Sequence, residues 1–214
     1  MSLGEFEFSF FDVELDGVTS IIQHRFTEAG EVESGTGKGK KTTRSVNKDY
    51  GTPREQAEKA AYRNPKDKTL WHPGAAIGRM LREVGAYHKQ TGSRRSLKYL
   101  VPAAVLVMDD EITMLDGKGK ALKDFEVDSR PVVIPATKAR IMRHRPRHDT
   151  WKMKFRIRIN TGVLDVPTIR MLMTQGGQMI GLGDFRPEKG GPFGTFDVIS
   201  FQEVKEKTRS KKTA

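Results

Sequence analysis

The stretch Trp151-Lys-Met-Lys-Phe-Arg-Ile-Arg-Ile-Asn160 decides the fold class, because apolar and cationic residues alternate along it without a break. A period of two is typical of a β-strand with one face in a core and the other in water. The residues predicted to be buried are Trp151, Met153, Phe155, Ile157 and Ile159. Residues 137–145 are predicted to form a neighbouring strand, joined to it as a hairpin by the polar turn 146–149.

Outward from this strand, the chain carries further strand and helix signals in alternation. Phenylalanines at every second position predict a strand at the N-terminal end, with a bulge near Phe10 and Phe11 where the phase changes. Thr52 and Glu55 are spaced as a helix capping box. The predicted elements are strand 5–15, short strand 17–26, a short helix from Thr52, helix 73–88, strand 99–108, hairpin 137–160, a helix from Asp165 to Gly176-Gly177 and strand 195–204.

This order predicts an α+β domain of the ferredoxin-like (RRM-like) kind, with helices on one face of an antiparallel sheet and long inserted loops. A single domain is expected over residues 1–204, with an inserted arm at 27–51 and a glycine–lysine loop at 116–130. The arm has almost no large apolar side chain, so it cannot bury enough surface to order itself. The basic tail 205–214 is also predicted to be disordered.

Composition narrows the function. With 38 Lys and Arg against 27 Asp and Glu, the formal net charge is +11, which favours an anionic partner such as nucleic acid. The absence of cysteine excludes disulfides and thiolate chemistry. No apolar run reaches ~18 residues and the N-terminus resembles no signal peptide, so we expect a cytoplasmic protein without membrane contact. We also expect no cofactor and no metal site, and we interpret His144 and His148 as surface residues.

The cationic face of the strand at 151–160 is the first candidate for function. Like charges on one strand face repel one another unless water or an anion lies over them, so we interpret the face as a stripe that follows a phosphate backbone. The predicted contacts in the hairpin are Arg140, Arg143, Arg145, Lys152, Lys154, Arg156 and Arg158. The alternative is an edge strand that lysine and arginine guard against aggregation.

Residues 181–194 are the second candidate, because five glycines and two cations fall within fourteen residues. Gly181, Gly183, Gly190 and Gly191 would let a backbone approach a ligand closely, while Arg186 and Lys189 would hold phosphates. The spacing matches neither a dinucleotide fingerprint nor a P-loop. The alternative is a mobile connection. The arm adds cations that we expect to hold the nucleic-acid strand or a neighbouring subunit. They are Lys38, Lys40, Lys41 and Arg44.

The run Pro73-Gly-Ala-Ala-Ile-Gly-Arg-Met-Leu-Arg82 resembles the helix start Pro-Gly-Ser-Ser-Ile-Lys-Gly-x-Leu-Arg of the repeat-associated RNA-binding (RAMP) superfamily. That superfamily includes the backbone subunits of CRISPR effector complexes, and short phage- and mobile-element-borne relatives are similar. The glycine loop resembles its C-terminal glycine-rich loop. Pro73, Gly74 and Arg82 match the pattern and are predicted contacts. Ala75, Ala76 and Gly78 depart from it, which removes the hydroxyl and ammonium groups from that helix start.

The resemblance implies a ferredoxin-like core, contacts to the backbone of a guide RNA, and head-to-tail self-assembly or assembly with other CRISPR-like subunits. Some relatives cut RNA with an aspartate in the arm, but neither Asp49 nor Asp67 aligns with it, so no catalytic residue is predicted. Our hypothesis is sequence-independent binding of single-stranded RNA through its sugar-phosphate backbone. The alternatives are a single-stranded DNA-binding protein of phage recombination, an RNA-cleaving RAMP endoribonuclease, and a scaffold that binds an acidic protein.

Overall fold

The computed structural model of the chain describes residues 7–25, 51–133, 138 and 140–205. The predicted arm, except Gly51, and the predicted tail, except Lys205, lie outside these residues. The predicted arm contacts Lys38, Lys40, Lys41 and Arg44 therefore lie outside them too.

Strands and helices alternate along the described residues. The strands are β1 Phe8–Gly17, β2 Ile21–Ile22, β3 Trp71–Pro73, β4 Val105–Val107, β5 Glu111–Leu115, β6 Glu126–Val133, β7 Arg140–His148, β8 Lys152–Asn160 and β9 Phe196–Val204. The α-helices are α1 Pro53–Ala60, α2 Gly74–Val84, α3 Val101–Ala104 and α4 Val166–Met179. Short 3₁₀ turns cover Gly85–Tyr87, Leu97–Tyr99 and Pro187–Lys189.

The main sheet has six antiparallel strands in the order β3-β5-β8-β1-β9, with β4 pairing with the far end of β8. Four of its strands stand side by side as β9-β1-β8-β4. Helix α2 lies in the connection from β1 to β4, and helix α4 lies in the connection from β8 to β9. This is the split βαβ arrangement. The predicted α+β, ferredoxin-like fold class is confirmed.

The apolar face of β8 forms the centre of the core, as its alternation predicts. Its five apolar residues, from Trp151 to Ile159, are all at most 5% exposed. Helices α2 and α4 pack together and cover that face, α2 with Ile77, Leu81 and Val84. The helical periodicity of residues 73–88 is thereby explained, although the α-helix ends at Val84 and a 3₁₀ turn follows.

Helix α4 begins where predicted but ends later. Asp165 caps it by accepting a hydrogen bond from Thr168 N at 2.8 Å. Gly176 and Gly177 were expected to end the helix, yet they lie inside it. A Cβ on Gly176 would stand 1.9 Å from the sulfur of Met80, and one on Gly177 would stand 2.4 Å from the carbonyl oxygen of Phe196. These glycines therefore let α4 approach α2 and β9 closely.

The predicted hairpin between residues 137–145 and 151–160 is wrong. Strand β7 belongs to a separate three-stranded sheet, in the order β2-β7-β6, on which α1 packs. The predicted turn 146–149 is mostly strand, because β7 runs to His148. The partner of β7 is β6, which starts at Glu126 inside the segment predicted to be a loop. The first part of that segment, residues 116–125, lies outside the named strands and helices and matches the prediction, with a turn at 116–120.

Smaller differences follow from packing. The irregularity in β1 lies between Glu14 and Leu15, opposite β9, and not at Phe10 and Phe11. Residues 99–108, predicted to be one strand, divide into a 3₁₀ turn, α3 and β4. The capping box of α1 is confirmed, since Thr52 Oγ1 accepts from Glu55 N at 3.3 Å and Glu55 Oε2 accepts from Thr52 N at 2.7 Å.

Candidate nucleic-acid interface

The cations of β8 lie on the open face of the main sheet, opposite the helices. Each of the first three pairs with the acid directly across on β1. The pairs are Lys152 with Asp16 at 3.6 Å, Lys154 with Glu14 at 3.0 Å and Arg156 with Asp12 at 2.6 Å. The fourth cation, Arg158, lies 4.5 Å over the ring of Phe8. We call these residues of β8 and β1 the charge ladder.

The charge ladder removes the reason for expecting an anion over β8. Hydrogen bonding from Arg156 holds the pKa of the Asp12 carboxyl below its usual range, so the carboxylate is charged at neutral pH. Three of the four cations are thus paired with acids within the sheet, and those three need no external anion. The edge-strand alternative is also wrong, because β8 lies between β1 on one side and β4 and β5 on the other.

The predicted cations of β7 have separate surroundings in the second sheet. Arg145 is 4% exposed and bonds to Asp184 at 2.6 Å and to Asp128 at 3.1 Å, so we correct its assignment to a structural residue. Arg143 contacts His24 Nε2 at 3.1 Å, and Arg140 is exposed at the start of the strand. Burial raises the pKa of Asp184, but hydrogen bonds from His24 and Arg145 outweigh it and hold that pKa well below its usual range.

The glycine loop, residues 181–194, folds upon itself. Gly181, Gly183, Gly190 and Gly194 all have positive φ angles, between 71° and 77°. A Cβ on Gly183 would lie 2.5 Å from Ile22 O, and one on Gly191 would lie 1.8 Å from Phe185 O. The close approach that these glycines permit is therefore to the chain's own backbone. Gly190 alone among the predicted four has open space around it.

The two loop cations share one acid. Arg186 bonds to Gly183 O at 2.8 Å and to the carboxylate of Glu188, and it is mostly buried. Lys189 contacts the other oxygen of Glu188 at 3.0 Å and is half exposed. Arg186 thus holds the shape of the loop, whereas Lys189 is the loop cation that faces solvent.

The start of α2 and the glycine loop, more than a hundred residues apart in sequence, form the walls of one cleft. Its volume is about 270 Å³. Pro73, Ala76 and Arg79 line it on the α2 side, while Gly181 and Arg186 line it on the loop side. The two segments that carry the family resemblance therefore meet at one place. Of the predicted contacts, Pro73 lines the cleft and Arg82 follows Arg79 on α2. Gly74 is buried, and a Cβ on it would stand 1.9 Å from Asp109 O, so its predicted contact with a ligand is corrected to close packing within the chain.

The α2 wall favours negative charge. No side chain caps the start of this helix and no acid lies in its first turn, while Gly74 N donates to the backbone oxygen of Asp110 at 2.9 Å. The other N–H groups of the first turn carry the partial positive charge of the helix end. Arg79 is exposed and forms no ion pair with any of the described residues. Arg82, also exposed, forms one ion pair with the described residues, to its neighbour Glu83 at 3.1 Å. Sequence reasoning missed Arg79, although it lies inside the motif and off the apolar stripe of the helix.

His72 lines the cleft directly before α2 and is 3% exposed. Neither of its ring nitrogens has a hydrogen-bond partner among the described residues. Burial, with smaller contributions from His148 and Arg186, lowers the pKa of His72 to about 4, so the ring is neutral at pH 7. A neutral imidazole supplies one donor and one acceptor. His148 is also buried, at 4% exposed, which corrects its interpretation as a surface residue.

Within the described part of the chain, no three His, Asp or Glu side chains converge. Asp49 lies outside the described residues. Asp67 accepts hydrogen bonds from Thr69 N at 3.0 Å and from its hydroxyl at 2.7 Å, in an exposed turn. Among the described residues, no helix combines the length and the apolar character that crossing a bilayer requires.

Comparison with known proteins gives a structural neighbour. No family model matches the sequence, and no curated protein matches it. Among solved structures, the chain is similar to one from "Cryo-EM structure of the Type III-B Cmr-beta bound to cognate target RNA", with a TM-score of 0.52 and 15% sequence identity. The match covers 93% of this chain and 61% of the other, so this chain spans less than two thirds of its neighbour. At that identity, the likeness concerns the fold.

Proposed function

We propose that the protein binds single-stranded RNA through the sugar-phosphate backbone, independently of sequence, as a subunit of a CRISPR-type ribonucleoprotein. The observation that carries the proposal is the cleft, in which the uncapped start of α2 faces the glycine loop. The proposed contacts are Pro73 and Arg79 in the cleft, with Arg82 and Lys189 next to its lining residues Glu83 and Glu188. The proposed contacts Arg140 and Arg143 of β7 belong to the second sheet, and the arm cations would clamp the strand or a next subunit.

The chemistry of the cleft suits a ribose-phosphate chain. The start of a helix and exposed arginines attract phosphate oxygens. The other lining groups are the neutral ring of His72 and carboxylates that are already paired with cations, Glu83, Asp184 and Glu188. Carboxylate and imidazole acceptors can take hydrogen bonds from 2′-hydroxyl groups, which distinguish RNA from DNA. This mixed lining supports RNA over single-stranded DNA.

The assembly part of the proposal has a separate support. The solved chain with the same fold belongs to a complex described as bound to cognate target RNA. We propose that this chain likewise acts beside further subunits or further copies of itself, head to tail along the RNA. In that arrangement, sequence independence follows from contacts to phosphates and sugars, which carry no base information.

The test is fluorescence anisotropy with labelled single-stranded RNA, single-stranded DNA and duplex DNA at several salt concentrations. We expect RNA to bind most tightly, and we expect Arg79→Ala with Arg82→Ala to weaken binding to all RNA sequences alike, by roughly 10-fold near 0.1 M salt. The slope of the logarithm of the binding constant against the logarithm of the salt concentration should become shallower by about 1.4, since each lost phosphate contact on a single strand accounts for about 0.7.

The matched control is Lys118→Ala with Lys120→Ala, which removes the same charge from an exposed turn that does not line the cleft. Equal losses in the two double variants would mean that only net charge matters, and the cleft assignment would be wrong. Equal binding of RNA and DNA would remove the assignment to RNA.

A further inference from the structure

Two exposed tyrosines lie just beyond the end of α2. Tyr87 is 67% exposed and Tyr99 is 66% exposed. They belong to the 3₁₀ turns Gly85–Tyr87 and Leu97–Tyr99, which pack against each other. Within the described part of the chain, neither ring contacts another aromatic ring or a cation, and neither hydroxyl has a hydrogen-bond partner. Large rings that face water and have no such partner among the described residues are available to a ligand.

The support beneath the rings is rigid. Ser96 Oγ donates to Gly85 O at 2.9 Å, and Leu97 N donates to His88 O at 3.0 Å. Gly85 lies so close to the second turn that a Cβ there would stand 3.0 Å from Lys98 N. Leu97 is 4% exposed and belongs to the main core. Because the backbone is fixed on both turns, the rings lose little freedom when a planar ligand stacks on them.

The surroundings of the rings are cationic. No Asp or Glu occurs in residues 84–108, whereas the segment between the tyrosines carries Lys89, Arg94, Arg95 and Lys98. Arg94 and Arg95 lie at the tip of a tight turn closed by Gln90 N donating to Arg95 O at 2.8 Å. The one ion pair that these four cations form with the described residues joins Lys98 to Glu83, at 3.7 Å. We call Tyr87, Tyr99 and these cations the aromatic platform.

The exposed face of α2 connects the cleft to the aromatic platform. Ala75, Arg79 and Arg82 are exposed along it, and Gly78 has open space around it, so a chain could lie close to the helix. The helix has 11 residues and is therefore ~16 Å long. At a rise of ~3.4 Å per nucleotide, about five nucleotides would cover that distance. One strand could thus occupy both places at once.

We propose that Tyr87 and Tyr99 stack on bases of a single-stranded RNA that leaves the cleft along α2. The inference rests on the proposed function and extends it to a second contact that engages bases. Aromatic rings combined with unpaired cations suit single strands, since every base has a π-face and stacking tolerates any sequence. An acidic protein surface would pair with the cations but would leave the two rings without a stacking partner, so the rings favour nucleic acid.

The experiment compares two double variants in the anisotropy assay with a 12-nucleotide RNA. Tyr87→Ala with Tyr99→Ala should weaken binding by roughly 10- to 100-fold, because each lost base stack has a large effect. Its salt dependence should equal that of the wild type, because no charge changes. Tyr87→Phe with Tyr99→Phe keeps the rings and should bind as the wild type does. The rings are exposed, so thermal melting should be unchanged in both variants.

A second measurement uses the unaltered protein. RNA that contains 4-thiouridine, photocrosslinked to the wild type and mapped by mass spectrometry, should attach at Tyr87 or Tyr99. Wild-type affinity in the alanine variant, or loss of binding in the phenylalanine variant, would overturn the aromatic platform. If the Arg79 and Arg82 variant still weakened binding in that case, the proposed function would stand without it. A wild-type protein that bound no single strand would overturn both.

Discussion

The cleft beside α2 and the open face of the main sheet both carry cations, but their surroundings differ. On the open face, three of the four cations of β8 meet an acid on β1 in register. At the cleft, Arg79 has no ion pair with the described residues and the start of α2 has no cap. Counting cations along one strand therefore does not show how much of their charge a ligand would meet, because the acids of the neighbouring strand decide it.

The charge ladder also has a structural role in the pairing of β8 with β1. Opposite charges directly across an antiparallel pair contribute roughly 0.2–1 kcal/mol each, and exposed ion pairs lie at the low end of that range. The three ion pairs help to fix the register of β8 against β1, since a one-residue slip would break every pair at once. At the cleft, Arg186 and Lys189 share Glu188, whereas Arg79 forms no ion pair with the described residues, so the charge of Arg79 is available to a ligand.

The largest expected effect concerns the glycine loop, which forms one wall of the cleft. Gly194 has a φ of +74°, and a Cβ on it would lie 1.8 Å from Leu182 O. Gly194→Ala should therefore lower the free energy of unfolding by about 4 kcal/mol or more, since overlap with backbone adds to the strain of a left-handed residue. Urea unfolding followed by circular dichroism measures this loss.

Gly190→Ala is the matched control for that substitution. Its φ of +73° is almost the same, but nothing lies within 4 Å of the added Cβ. The expected loss is only about 1–2 kcal/mol, from the left-handed backbone alone. Similar losses in both variants would show that the close contacts of the loop do not hold the cleft wall in place.

Local signals account for most of what the sequence predicts correctly. The alternation of β8 is an unbroken pattern of one strand, and Thr52, Glu55 and Asp165 cap helices through contacts three residues away. Such interactions need no knowledge of distant parts of the chain. The order of strands in the main sheet then follows from the ferredoxin-like connection rules.

Long-range pairing accounts for what the sequence did not predict. Strand β7 pairs with β6, whose first residues lie inside the segment 116–130 that the sequence predicts to be a loop, so the sequence offers β8 as the partner of β7. The acids of β1 that neutralise β8 lie more than 130 residues away from it. The cleft is a similar case, because its two walls were recognised separately while their meeting depends on the whole fold.

The next effect concerns pH. As pH falls, protonation of His72 in the cleft should reduce the free energy of unfolding at a higher pH than protonation of the charge ladder does. The pKa of His72 is about 4 in the folded protein and about 6.5 when unfolded, so the unfolded chain binds more protons between these values. The stability that the neutral ring contributes is complete above pH 6.5 and is lost as pH falls through 4. The ladder carboxyl of Asp12, whose pKa is lowered below 3.8, would respond only at lower pH.

Urea unfolding at pH 7 and pH 5 measures this difference. The wild type should lose about 2 kcal/mol of stability from His72 over that interval, and His72→Gln should lose correspondingly less. Buried His148, with a pKa of about 4, adds a similar loss to both proteins and cancels in the comparison. An imidazole titration by NMR on the wild type gives the same information without a variant. A His72 midpoint near 6.5 would contradict the buried, neutral ring.

The smallest expected effect tests whether pairing with the acids of β1 limits the affinity of the open face for an anion. Asp12→Asn, Glu14→Gln and Asp16→Asn together would leave the β8 cations unpaired. Stability should fall by only about 1 kcal/mol, because the pairs are largely exposed. RNA affinity should rise a few-fold, with a steeper salt dependence, since the freed cations can contact phosphates. Anisotropy across salt concentrations measures this gain. An unchanged affinity would mean that the shape of the open face, and not its charge balance, keeps RNA away, and the contrast with the cleft would then rest on geometry.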